Sequence, residues 1–207
     1  MNNYAQEYFY MVPVGSNHPL LNTILSDDSF MLHEIHALNE NYLVRFRFGA
    51  PLPRKPELAD VHNDAYQLVI SDKIKNVMQT MQLKDVQYLP ATIKNPKTEE
   101  VFEGYWVLHI YNMIYCMNKE KSKFKAHNNG RIVSINKLIL NNEILNEIPL
   151  EERLVFALGE KRLQMLFHAS IVEKIVALKP KGMMFCPLEK WSESFPFELA
   201  AMEYIKG

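Results

Sequence analysis

His33 and His36 stand three residues apart in "HEIH". On a helix that spacing would put two imidazoles on one face, where a third ligand could complete a metal site. On a strand, which the flanking apolar residues favour, positions three apart point to opposite faces. The pair also lacks the HExxH spacing of a helical zinc site. His62 and Asp64 in "VHNDAY" have the types of a base and its orienter, yet no partnered nucleophile is identifiable. A metal-dependent hydrolase using His33, His36 and His62 is the enzymatic alternative these residues leave open, and the weaker one. His109 lies within an apolar run, and His127 and His168 have no neighbouring ligand pattern. The adjacent acids Asp27 and Asp28, Glu99 and Glu100, and Glu151 and Glu152 read as solvated turns or helix starts. No GxSxG elbow or kinase signature occurs. The expectation is a protein that is not an enzyme, with no catalytic residue, no metal and no cofactor.

The junction "QLVISDKIKNVMQTM" (67–81) changes hydrophobic period part-way. Leu68, Val69 and Ile70 form a short apolar run, and Ile74, Val77, Met78 and Met81 then recur at helical spacing. Phosphate cradles at such junctions need glycine for close backbone approach, and "VISDKI" has none. Ser71 therefore reads as a helix N-cap, with Asp72 at the positive end of the dipole. Both are assigned structural roles, as are Gly182 and Pro187.

Two charged regions invite a partner. Lys119, Lys121, Lys123, Lys125 and Arg131 surround Phe124, so a nucleic-acid-associated adaptor is conceivable. Against it stand a net charge of −1, from 23 basic and 24 acidic residues, and the absence of any recognised binding module. A solvated loop is the stronger reading, and no nucleic-acid partner is expected. In the Ser/Glu/Pro-rich tail, Glu189, Trp191, Glu193, Phe195, Phe197 and Glu198 form a candidate protein-contact patch, because interface hot spots favour aromatic anchors. The competing role for Trp191 is packing back onto the sheet.

The elements that must position these residues follow from patterning. Hydrophobic residues make up 48% and charged residues 23% of 207, ordinary for a globular chain of one large domain or two small ones. The start, "MNNYAQEYFYMVPVGSNHPL", has no basic region or long apolar stretch, and no run approaches the roughly 18 apolar residues of a membrane span. No membrane association and a cytoplasmic location are expected. The isolated Cys116 and Cys186 suit buried thiols in a reducing compartment. "YFYMVPV" (8–14) reads as an opening strand, and "SFMLHEIHAL" with "NYLVRFRF" (29–48) as a hairpin. In its second arm Val44, Phe46 and Phe48 share one face, and Arg45 and Arg47 the other. Residues 49–60 hold three prolines and read as a linker that ends a β-rich segment (1–60) packed on a main α+β domain (61–207), with one continuous domain as the alternative. Strands are expected at 85–94, 100–117, 132–140 and 182–188. The second of these is apolar on both sides, as the middle of a doubly covered sheet requires. Helices are expected at about 71–82 and 160–179, the second with Gly159 as N-cap. This order predicts an α+β fold with a mixed, largely antiparallel sheet and two main helices.

Taken together, "LVISDKIKNVM", "VQYLPATI", "YWVLHIYN", "IYCMNKEKS" and "LKPKGMMFCPL", with Ser71, Asp72, Gly182 and Pro187, form a familiar arrangement over roughly residues 66–190. It resembles the Imm11-like family of immunity proteins from bacterial polymorphic toxin systems. That resemblance implies a non-enzymatic cytoplasmic toxin inhibitor acting in bacterial competition. Such a protein neutralises a cognate toxin or secretion-system effector domain, a nuclease among the candidates, by protein–protein interaction.

Overall fold

In the computed structural model, which describes residues 4–15, 17–24, 34–64 and 67–192, the alternation of "VRFRF" is realised as a strand. Val44, Phe46 and Phe48 are buried, and Arg45 and Arg47 are exposed. The chain runs α1 (Tyr4–Glu7), β1 (Tyr8–Pro13), β2 (Leu21–Thr23), β3 (Val44–Phe48), β4 (Val61–Asn63), β5 (Leu68–Ser71) and α2 (Asp72–Gln79). It continues through β6 (Val86–Lys94), β7 (Val101–Ile110), β8 (Met113–Ile114), β9 (Lys123–Ala126), β10 (Ile132–Lys137) and α3 (Asn142–Glu147). It ends with β11 (Val155–Leu158), β12 (Met165–His168), α4 (Ala169–Ala177) and β13 (Met183–Pro187). Strands with two helices of more than a turn or two make an α+β fold, as the patterning predicts. Among the described residues no helix is long and apolar enough to cross a membrane.

Two main sheets organise the chain. One has six strands in the order β2-β3-β6-β7-β5-β4, the other five in the order β13-β1-β12-β11-β8, and β9 and β10 pair only with each other. Pairing is antiparallel except for β3 with β6 and β8 with β11. The space between the sheets is filled by Met11, Ile70, Leu108, Ile110, Phe167 and Met183, together with the inner faces of α2 (Ile74, Met78) and α4 (Ile171, Ile175). The outer face of the six-stranded sheet packs Phe46, Leu89, Ile93 and Val107 against Leu38, Leu52 and Leu58 from the irregular segments before and after β3. The outer face of the five-stranded sheet buries Tyr8, Tyr10, Phe156, Leu158 and Leu166 under α1, α3, the β9–β10 hairpin and Trp191. β7 is central in its sheet and contributes Val107 to one face and Leu108 to the other, as a strand apolar on both sides must.

Two expectations are revised. Residues 160–179 are not one helix: α4 occupies Ala169–Ala177, and Met165–His168 is a strand paired with β1 and β11. Leu166 and Phe167 enter different cores, as successive residues of a strand do. A short apolar run fits a buried strand as well as a helix, and here the two adjoin without a break. The helix cap is accordingly His168, whose Nδ1 accepts from the Ser170 N–H at 3.2 Å, rather than Gly159. The expected 29–48 hairpin is also absent from its described part, residues 34–43 carrying no strand. β3 instead takes β2 as its antiparallel neighbour, Leu21 opposite Phe48.

Candidate functional site

The residues singled out at the strand–helix junction meet at a knot around Asp60. Ser71 occupies the N-cap position of α2 in extended conformation, but its hydroxyl makes no cap hydrogen bond. It donates instead to Asp60 Oδ1 at 2.8 Å. Asp60 Oδ2 accepts from the Lys181 N–H at 2.7 Å, and the Asp60 N–H donates to the Lys181 carbonyl at 2.9 Å. Lys73 Nζ reaches both Asp60 Oδ2 and the Lys179 carbonyl at 3.4 Å. Burial pushes the Asp60 carboxyl up, but the Lys181 N–H, the Ser71 hydroxyl and Lys73 outweigh it and hold the group below the ordinary carboxylate range. Gly182 follows with φ +71°, and a Cβ there would sit 2.4 Å from the Ala59 Cβ. The knot thus ties the end of the proline-rich segment, the start of α2 and the turn after α4.

Asp72 serves a second junction beside the first. Its Oδ1 accepts from Trp106 Nε1 at 2.6 Å, and Lys75 Nζ lies 3.6 Å above the Trp106 ring centroid. Gly104, at φ +77°, brings β7 so close that a Cβ would stand 2.8 Å from Asp72 Oδ2. Pro187 lies at the far end of β13, opposite Phe9, and caps the short turn Leu188–Lys190. The chemistry of both junctions is that of fastening: the Ser71 hydroxyl donates to a carboxylate that also accepts from the Lys181 N–H and Lys73, and that partner is not an imidazole that could activate it.

The histidines are similarly committed. His62 is buried, its Nε2 accepting from the Ala59 N–H at 3.0 Å. Nδ1 therefore carries the proton, which it donates to the Pro19 carbonyl at 3.2 Å. Burial drives its pKa down to about 4. Neither ring nitrogen is left for a metal or a proton relay, and Asp64 binds Gln67 and Thr23 rather than His62. His36 is exposed beside Glu34, with its carbonyl 3.0 Å from His109 Nε2. His33 lies outside the described residues. Among the described residues no group of three His, Cys, Asp or Glu is placed to hold a metal ion. Both thiols are buried and neither is in a disulfide, and burial raises them, Cys186 to about 11. A cavity of about 20 Å³ beside His109 and Arg162 has room for one water, far below the several hundred Å³ of a substrate pocket.

Of the candidate contact residues, Trp191 is 8% exposed and stacks on Tyr10 with ring centroids 3.9 Å apart. Glu189 is exposed, and Glu193, Phe195, Phe197 and Glu198 lie outside the described residues. The basic stretch is ordered as the β9–β10 hairpin, with Phe124 turned onto the core and the lysines outward. Three features had no local sequence signal. Asp60 is a lone acid after a proline-rich stretch. Arg153, 8% exposed, donates to the Tyr8 hydroxyl at 2.8 Å and to the Ile148 carbonyl at 3.0 Å, fastening β1 to the turn before β11. Tyr115, 61% exposed, lies flat on Gly159, where a Cβ would come within 2.5 Å of the ring.

In comparisons with known proteins, the model of a family described as "Immunity protein family (Imm11)" matches residues 32–190. No curated protein matches the chain.

Proposed function

The chain belongs to the Imm11 immunity protein family, and on that footing we propose that it neutralises a cognate antibacterial toxin by binding it. The observation that carries the reading is the family match, which spans β3 to β13 and so takes in both longer helices, both junctions and the basic hairpin. An immunity function asks for a stable scaffold and a complementary surface, and immunity families generally act without turnover. The commitment of Ser71, His62 and Asp64 to hydrogen bonds within the fold supports that reading. Such a contact buries about 800 Å² on each partner, and nuclease–immunity pairs are among the tightest complexes known. The partner is a toxin or secretion-system effector domain met in the cytoplasm of the producing cell, in the setting of competition between bacteria. Co-expression with the toxin domain encoded beside its gene tests this. The pair should co-elute and growth should be restored. Separate elution with no protection would end the proposal.

A further inference from the structure

Residues 118–137 hold six basic side chains, Lys119, Lys121, Lys123, Lys125, Arg131 and Lys137, against one acid, Glu120. That local net of +5 sits in a chain of net −1, which leaves −6 on all other residues. All six cations are exposed, and none forms an ion pair among the described residues. The segment carrying them is anchored at both ends. At its root the Asn118 N–H donates to the Ile139 carbonyl at 2.8 Å, and Ser122 Oγ accepts from the Ile139 N–H at 2.9 Å. At its tip the His127 N–H donates to the Arg131 carbonyl at 2.9 Å, over a turn that Gly130 closes with φ +84°. Ile132, Ile135 and Phe124 press its inner face onto the five-stranded sheet.

Apolar surface accompanies the charge. Val133 is 47% exposed on β10, and Tyr115 is exposed on its glycine seat. Lys161 Nζ donates to the Val133 carbonyl at 2.7 Å, so the turn that begins at Gly159 bridges the two. An aromatic and an aliphatic side chain bordered by pre-positioned cations is the composition of a protein-binding hot spot. Lysines on a free edge strand also deter edge-to-edge pairing. That role accounts for Lys123 and Lys125 on β9, but not for Lys119, Lys121 and Arg131 outside the strands, nor for Tyr115 and Val133 left bare beside them.

We propose that this hairpin face docks an acidic patch of the cognate toxin, with Tyr115 and Val133 at the centre of contact and the lysines at its rim; the inference rests on the toxin-binding reading above. Charge complementarity selects the partner. The hairpin attracts a carboxylate-rich protein face, whereas the −6 on the rest of the chain opposes approach along an extended phosphate backbone. Phe124, the aromatic inside the lysine run, faces the core and offers no base a stacking surface. A groove that binds nucleic acid is cationic and repels this face. A nuclease toxin is therefore held through an acidic surface outside its substrate groove.

The test measures association of the full chain with the toxin domain encoded beside its gene, across a salt series, for the unaltered protein, K121E/K123E/K125E and Tyr115→Ala. The triple reversal should slow association at least about tenfold at low salt, with the gap closing as salt screens it. Tyr115→Ala should speed dissociation. Should the triple variant melt early, Arg131→Glu at the hairpin tip is read in its place, with a slowing of about two- to fivefold expected. Equal association of toxin with all variants at every salt overturns the docking surface and leaves the immunity reading standing. Failure of the unaltered chain to bind the toxin overturns both. Capture of a single-stranded or duplex oligonucleotide that the triple reversal abolishes, with toxin binding untouched, reassigns the hairpin to nucleic acid and overturns the proposal.

Discussion

Replacing Ser71 by alanine separates two roles that the same residue could play at the head of α2. As a side-chain cap it would bond a backbone N–H of the first turn, and its loss would cost about 1 kcal/mol whatever stands at position 60. In the structure its hydroxyl goes to Asp60 Oδ1 at 2.8 Å. A hydrogen bond to a charged acceptor contributes roughly 1.5–3 kcal/mol. The carboxylate is only 14% exposed, so Ser71→Ala should cost about 1.5 kcal/mol. Asp60→Ala removes that bond and also the 2.7 Å bond from the Lys181 N–H, and should cost about 3 kcal/mol. The double variant should then lose about 3 kcal/mol rather than the sum, a coupling near 1.5 kcal/mol. Urea unfolding of the four proteins measures it. With a slope of about 2 kcal/mol per molar, Ser71→Ala should lower the midpoint by roughly 0.7 M. The coupling also has a sign in pH. Because the folded Asp60 carboxyl is held below its unfolded value, its contribution is present above about pH 4 and is lost as acid protonates it. Repeated near pH 3, the cycle should show a smaller coupling. Additive losses at neutral pH, within about 0.3–0.5 kcal/mol, would refute the knot and restore the cap.

Other positions make independent demands. Trp191→Ala should lower the melting temperature, by about 3–5 kcal/mol of stability for an aromatic stacked on Tyr10 and almost closed to solvent; lost toxin binding with unchanged melting would assign Trp191 to the interface instead. Gly182→Ala should cost more than about 2 kcal/mol by thermal denaturation, since it combines a left-handed backbone with a Cβ overlapping Ala59, and an unchanged midpoint would contradict that packing. His62 stays neutral in the fold down to about pH 4, whereas an unfolded histidine protonates near pH 6.5. Stability should therefore fall as pH drops from 6.5 towards 4, by roughly 3 kcal/mol from this residue, and His62→Gln should flatten that limb of the profile.

Sequence patterning reached the elements whose signal is local. Val44, Phe46 and Phe48 alternate with arginines and form a strand, and the two-faced apolar run around Val107 and Leu108 lies mid-sheet. The position of Ser71 at a helix start was legible as well, because the change from a strand period to a helical one occurs there. Its partner was not, since Asp60 is eleven residues upstream and is brought to it only by the pairing of β4 with β5. The helix beginning at Ala169 was legible, but its N-terminal extension was wrong. The run "MLFH" satisfies helical and strand periods alike, and only pairing with β1 and β11 decides between them. The hairpin expected before Phe48 failed for a similar reason, because β3 draws its neighbours from β2 and β6 rather than from the residues just before it. The protein-contact patch around Trp191 and the cationic face depend on which aromatics turn inward, which composition does not encode: Trp191 and Phe124 both pack on the five-stranded sheet, and Tyr115 does not. Family, by contrast, was readable from hydrophobic spacing in the later two thirds of the chain.

Strand β1 lies between β12 and β13, with Tyr8 opposite His168 and Phe9 opposite Pro187. Its neighbours are therefore made some 160 residues after it for β12 and more than 170 for most of β13. On the ribosome the emerging polypeptide carries this apolar ribbon with two unsatisfied edges until β12 and β13 have been made. Closure of so long a loop makes the five-stranded sheet a late and slow event. Each newly made copy thus passes through a vulnerable adolescence in which a holdase or rapid burial elsewhere must shelter Tyr8–Pro13 from other chains.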